Sequence, residues 1–452
     1  MADHLILNGF IQCSPNHHIK GMWKHPLDET STGYRDLRWW IRLAELLERG
    51  CLDSLFFADV HGSYDTHGGS REAAVRHAVQ FPGLDPTVLI PALAAATEHL
   101  GFGVTYSTTY FPPYQAAKLF STLDHLTDGR VAWNVVTGYL PDAQRQGLGT
   151  HLDHDVRYDR ADEYLDVCYA LWEDSWTEGA VVLDVDADMH TDPNLVREID
   201  HHGEWFDVQG PHMVEPSPQR TPVIFQAGTS ARGMAFAARH AEAVFVAASP
   251  RDAGARLTAQ IRQAAADTGR DPDTVKLIQA SRVIVAATDD EAQAMQEEWR
   301  QRFSIDGYLA LFAGFTGIDF TAHPPETPID SIPTNAMQTM TDRFKRQDPS
   351  RDWTVGEVAE RVAAGAAEAT FVGSPQTVAD QMESFAETTG VDGFNLITSP
   401  VPWGLEQVVE LLVPELQRRG RLRTAYRPGE TLRERWFGTG AVHPLADPAS
   451  RG

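Results

Sequence analysis

Cysteine is scarce in this chain. Its three thiols, Cys13, Cys51 and Cys168, lie far apart with no C-x-x-C spacing. That pattern supports neither a disulfide framework nor a zinc knuckle. Long apolar runs are missing too: no stretch reaches the about 18 uninterrupted apolar residues that read as a membrane span. The opening segment "MADHLILNGFIQCSPNHH" has neither a basic start nor an extended apolar core, the marks of a secretory signal. The expectation is a soluble cytoplasmic protein that enters no membrane. Basic residues are few, with 38 Lys and Arg against 63 Asp and Glu, for a formal charge of −25. A surface of that sign repels nucleic acid and anionic lipid.

What is present is apolar bulk arranged with a regular beat. Hydrophobic residues make up 42% of 452 residues, ample for a large core, and the length suits two average domains or one large barrel. "LILNGFI" (Leu5–Ile11) reads as a strand and "YRDLRWWIRLAELLERG" (Tyr34–Gly50) as a helix closed by glycine. "DSLFFAD" (Asp53–Asp59) is a continuous apolar run, the signature of a strand buried on both faces. The same alternation continues through "FGVTYST", "RVAWNVVT", "PVIFQAG", "AEAVFVAA", "KLIQASRVIVAA" and "DGFNLIT", each followed by a helical pattern. Eight strand-then-helix units predict an α/β fold, a (β/α)8 TIM barrel, with an open doubly wound sheet as the alternative. No G-x-G-x-x-G follows the first strand, which weakens the dinucleotide-binding form of that alternative.

A bare barrel needs about 250 residues. The surplus is assigned to insertions near residues 62–84, 177–220 and 307–370 and to a tail from about 421, within one barrel domain spanning 1–452. The second insertion contains "GEWFDVQGP", read as a short hairpin, and the third carries a helical stretch near Thr354–Ala367. The tail is expected either to wrap a neighbouring molecule or to lie loose. Long insertions of this kind often serve as lids or binding loops.

In such a barrel, chemistry sits at the C-terminal ends of the strands. Polar residues recur there: "QCSPNHH" after the first strand, Asp59, Thr105 with Ser107, Asn134 with Thr137, and "AGTSARG" after the fifth. In "AGTSARG", Gly228 permits close backbone approach, while Thr229 or Ser230 caps a helix whose free N–H groups suit a phosphate. An ordinary N-cap is the competing reading. Asn134 lies in a buried strand and needs hydrogen-bond partners, which a cofactor or a neighbouring backbone would supply. Asp59 is either a strand-end cap or a ligand contact. The alternating His and Asp of "HLDHDVRYDRADEY" lack a recognisable three-ligand spacing, so no metal is expected.

Taken in order, "NGFIQCSPNHHIKGMWKHP", "FFADV", "GFGVTYSTTYFPPYQAAKLFSTLDHLTDGRVAWNVVT", "RYDRADEYLDVCYALWEDSW", "VQGPHMVEPSPQRTPVIFQAGTSARG" and "GSPQTVADQ" form a set. The set resembles the bacterial-luciferase-like flavin monooxygenases, in the branch of nitrilotriacetate, EDTA, dibenzothiophene-sulfone and long-chain alkane monooxygenases. The resemblance runs from about residue 5 to residue 420. It implies a (β/α)8 barrel that binds FMN at its C-terminal mouth, with a separate NAD(P)H:flavin reductase delivering reduced FMN. It implies flavin-ring and ribityl contacts at Asp59, Thr105 and Asn134. His154 and Tyr158 would serve the ribityl–phosphate end, and Gly228, Thr229 and Ser230 the phosphate. His18, with His17 as its alternate, matches the family's active-site histidine, and Tyr64 and Gln80 match polar residues near the substrate pocket. Phe10, Phe56 and Phe57 are expected as water-excluding walls, with at least one of the latter pair in the core. Gly138 and Tyr139 depart from the family pattern and alter the pocket wall. The implied reaction consumes O2 and oxygenates a small organic substrate in a homodimer or homotetramer. The competing readings are an F420-dependent dehydrogenase of the same superfamily, a non-catalytic flavin binder, or an unrelated phosphate-binding barrel isomerase. Few basic loop residues disfavour a polycarboxylate substrate and favour a neutral, apolar or sulfur-containing one.

Overall fold

The computed structural model describes residues 4–15, 18–149, 152–334, 336, 344, 348, 350–363 and 369–446. All eight strand-like segments form strands, and a ninth joins them. They are β1 (Ile6–Gln12), β2 (Ser54–Ala58), β3 (Gly101–Ser107), β4 (Val131–Val136), β5 (Val223–Gln226), β6 (Ala243–Val246), β7 (Lys276–Val285), β8 (Ala369–Gly373) and β9 (Gly393–Ile397). Every pairing among them is parallel. The sheet closes where β1 meets β9, with Ile6 opposite Gly393 and Asn8 opposite Asn395. The Asn8 amide donates to Asn395 Oδ1 at 2.8 Å, and Ser54 Oγ donates to Asn8 Oδ1 at 2.7 Å, so polar groups buried at the seam are paired.

The seventh strand is longer than its neighbours. Its first half, Lys276–Gln279, pairs with β6, and its outer half, Ser281–Val285, pairs with β8. The segment forming β8 begins inside the stretch expected as the 307–370 insertion. It is short and pairs on one side only, which leaves a weak pattern in the sequence.

Inside the barrel, Phe56 packs edge-on against Phe225 and Phe245, with ring centroids 5.1 and 4.8 Å away. Gly103 on β3 makes room for it, since a Cβ there would stand 2.4 Å from the Phe56 ring. Outside, helix α1 (Leu37–Arg49) starts where Asp36 accepts from the Arg38 N–H. It buries Trp40, Leu43 and Leu47, a helical stripe, on the strands. Phe57 faces this layer, 5.5 Å from Trp40, and Phe56 lies fully inside the barrel. Both are core, so neither serves as the expected wall of a cleft.

Between β4 and β5, two small antiparallel hairpins occur, Val181–Asp184 with Met189–Thr191 and His201–His202 with Asp207–Val208. The segment after β7 has a core of its own: Tyr308 and Phe312 of helix Ile305–Thr316 join Phe320, Trp353 and Val358. Helix Val355–Ala363 realises part of the expected helical stretch; residues 364–367 lie outside the described residues.

In its described part the tail packs on its own barrel. Helix Leu432–Phe437 plugs the N-terminal end of the barrel. Trp436 packs 5.4 Å from Phe225 and donates its indole N–H to Asp53 at 2.9 Å. Arg433 pairs with Glu242 through bonds of 2.6 and 2.9 Å in full burial. Among the described residues no helix is long and apolar enough to cross a membrane.

Candidate active site

Closing one end with side chains leaves the other to chemistry. At the C-terminal ends of β2, β3, β4 and β5 opens a cleft of about 930 Å³. Its lining includes Asp59, Thr105, His154, Tyr158 and Gly228, five of the eight residues expected to hold a cofactor.

Thr105 and Asn134 are register partners on β3 and β4. Thr105 Oγ1 donates to the Phe57 carbonyl at 2.9 Å and accepts from Asn134 Nδ2 at 2.9 Å. This fixes the Asn134 amide and leaves its Oδ1 buried without a partner. Gln226, the last residue of β5, repeats the arrangement: its Nε2 stands 3.5 Å from the Tyr158 hydroxyl, and its Oε1 has no partner. Two such acceptors left unpaired cost free energy unless a ligand donates to them.

Helix α2 (His154–Tyr169) opens at the rim and carries His154, Arg157 and Tyr158 in its first turns. Ser230 caps helix α3 (Ala231–His240), accepting from the Gly233 N–H at 3.1 Å. Thr229 and Ser230 are buried beside Gly228, and a Cβ on Gly228 would lie 2.1 Å from the Tyr158 oxygen. The result is a cradle of bare backbone at the positive end of a helix, flanked by a phenol, an imidazole and the Arg157 guanidinium. Burial pushes the Tyr158 hydroxyl up to about 12, so it is a neutral donor.

Asp59 stands at the end of β2, with His61 Nδ1 3.7 Å from its carboxylate. Burial raises its carboxyl to about 7, partly opposed by the Val60 N–H and reinforced by Asp85. Burial also lowers the basicity of His61.

The luciferase-like monooxygenase family matches residues 19–393. The chain belongs to that family. It is 42% identical to the dimethyl-sulfide monooxygenase of Hyphomicrobium sulfonivorans, over 99% of this chain and 94% of the relative. It is 44% identical to the long-chain alkane monooxygenase of Geobacillus thermodenitrificans, over 97% of this chain and 96% of the relative. A riboflavin lyase solved with modified FMN and riboflavin superposes with a TM-score of 0.93 at 34% identity, covering 99% of this chain and 100% of that one. The chain is accordingly a monooxygenase on a luciferase-like barrel.

The residues expected to be catalytic are dispersed around this cleft. Tyr64 is buried behind the cleft and reaches it only through Tyr139, the two hydroxyls being 2.6 Å apart. Burial raises both phenols, Tyr64 well above its ordinary value, so both are neutral. Gln80 lines a second chamber, of about 1150 Å³, which shares Asp59, Val60 and His61 with the first. His18 stacks on Phe10, with centroids 4.1 Å apart and planes inclined by 16°, and contributes to the lining of neither space. His17 lies outside the described residues.

Gln226, Arg157 and His61 also line the cleft, and the sequence alone does not single them out. Gln226 had a signal equal to that of Asn134, a lone amide ending an apolar strand. Arg157 stood between two named residues, and its burial was invisible without the fold.

Proposed function

We propose that the chain is the oxygenating component of a two-component FMN-dependent monooxygenase. Reduced FMN, delivered by a separate NAD(P)H:flavin reductase, supplies the electrons with which O2 is split between substrate and water. Thr105, Asn134 and Gln226 would receive the ring and ribityl polar groups. His154, Arg157, Tyr158 and the backbone from Gly228 to Ser230 would hold the phosphate. The observation that carries this reading is the unpartnered Gln226 Oε1 in a cleft ending at the Gly228 cradle, with a second unpartnered acceptor, Asn134 Oδ1, on the amide bonded to the cleft residue Thr105. A −25 protein binding a dianion needs such a local positive field.

Asp59, with its carboxyl raised to about 7, holds or yields a proton near neutrality at the cleft wall. Tyr64 and Tyr139 form a neutral hydrogen-bonded wall, and helix Ile305–Thr316 seals it from behind: a Cβ on Gly314 would stand 1.8 Å from the Tyr64 ring. The substrate is a small neutral organic compound with an apolar body, and the working form is a cytoplasmic homodimer or homotetramer.

The deciding experiment is anaerobic titration with reduced FMN, followed by mixing with 18O2 and candidate substrates. Tight binding with one labelled oxygen in the product supports the proposal. Binding without label in any product supports a dehydrogenase or a passive flavin carrier, and absence of binding rejects the flavin reading.

A further inference from the structure

The second chamber holds a side chain that the flavin reading leaves unused. Gln12, at the end of β1, is 4% exposed, and neither its Nε2 nor its Oε1 has a partner. It lines the chamber that meets the flavin cleft at Asp59. A primary amide left wholly unpaired in burial is costly, and the cost is removed by a ligand that both donates to it and accepts from it.

The charges around the chamber restrict what that ligand carries. Asp85 is bound to the Thr87 N–H and hydroxyl, at 2.9 and 2.7 Å, and no cation is bonded to it there. Arg71 reaches the chamber with its charge committed to Asp142 at 3.0 Å. Asp59 adds a second acidic group. An anionic head would therefore meet acidic groups and no unpaired cation among the described lining residues. Phe81 and Leu84, both partly exposed at the rim, offer an apolar surface for a hydrocarbon body.

We propose that this chamber takes the organic substrate, and that the substrate is a neutral molecule with an apolar body and a single head that donates and accepts hydrogen bonds, a carboxamide or an alcohol, read by Gln12. This rests on the flavin reading above and narrows it. An alkane or a dialkyl sulfide leaves the Gln12 amide unpaired, and a carboxylate is repelled. Sites built to hydrogen-bond a substrate group discriminate strongly against analogues that lack it.

The test compares hexanamide, dipropyl sulfide and hexanoate, matched in size, for binding to the anaerobic protein loaded with reduced FMN, by ligand-observed NMR and calorimetry. Hexanamide is expected to bind at least tenfold more tightly than either of the others. Gln12→Leu is expected to erase or invert the amide-over-sulfide order. Reduced FMN binding by that variant reports that it has folded, and Gln12→Asn provides a second probe with a shortened amide. Sulfide or hexanoate ranking first in the wild type, or an unchanged order in both variants, overturns the inference while leaving the flavin reading intact. A wild-type chain that takes no reduced FMN overturns both.

Discussion

His240 Nε2 lies 2.7 Å from Asp162 Oδ1 in the contact between helices α2 and α3. The other ring nitrogen of His240 is 3.1 Å from the Tyr169 hydroxyl. With the imidazole neutral through burial, this places its proton on Nε2 and makes Nδ1 the acceptor for Tyr169. The second oxygen of Asp162 binds Arg232, whose guanidinium lies 5.7 Å above the Tyr158 ring. On the proposed flavin reading, Asp162 is a positioning residue for the phosphate, acting through Arg232 and Tyr158.

From this follows a phosphate-specific phenotype. Asp162→Asn is expected to weaken reduced FMN binding by on the order of tenfold while changing reduced riboflavin binding little, because charge-assisted bonds are roughly twice as strong as neutral ones. Parallel anaerobic titrations with the two flavins measure the ratio. Equal losses for both would make Asp162 a merely structural residue.

The cradle is equally testable. Gly228→Ala forces a Cβ against Tyr158 and Gln226, and overpacking of this kind costs about 1–3 kcal/mol. Reduced FMN affinity should fall at least tenfold. Ser230→Ala removes the cap of α3, a loss of about 1 kcal/mol in stability, with a further drop in FMN affinity. Denaturant unfolding separates the two effects from titration, and wild-type affinity in Gly228→Ala would place the phosphate elsewhere.

Asp59 gives a pH signature. Its folded carboxyl, raised to about 7, binds a proton more tightly than the unfolded one, so the folded state holds more protons between about pH 4 and 7. Stability from this group is full below the unfolded value and is lost as pH rises through about 7. Asp59→Asn cannot ionise, so its stability gain over wild type should be about 2–3 kcal/mol larger at pH 8 than at pH 5. Urea melts at both pH values check this, and a gain independent of pH would rule out a raised carboxyl.

Trp436→Ala opens the barrel floor, leaving Asp53 without its indole donor and Phe225 without its neighbour. A loss of about 3–5 kcal/mol is expected. Far from the cleft, this change should lower the melting temperature without changing reduced FMN affinity at 20 °C.

The fold was legible because strands buried on both faces are written as uninterrupted apolar runs, as in "DSLFFAD" and "RVAWNVVT". β8 escaped because it borders only half of β7. The plug helix escaped because its charges, Arg433 above all, read as solvated when their partner Glu242 is 191 residues away. Around the cleft, strand-end polar residues pointed to Asp59 and Thr105, and the glycine before a helix to Gly228, all of which line it; Asn134, bonded to Thr105, does not. Gln12 and Gln226 were equally visible as letters. Their distinguishing property is an amide with unpaired atoms in burial, and this is a property of the assembled barrel.

The Asn8–Asn395 bond at the seam joins residues 387 positions apart. Nearly the whole polypeptide must therefore be synthesised before the barrel's first and last strands can meet. Until then β1 and β9 each present an open edge, a template for pairing with another chain. Contacts so distant in sequence slow folding and prolong that exposure. Recombinant yield should therefore depend on temperature and chaperone supply during synthesis more than on the final stability of the folded enzyme.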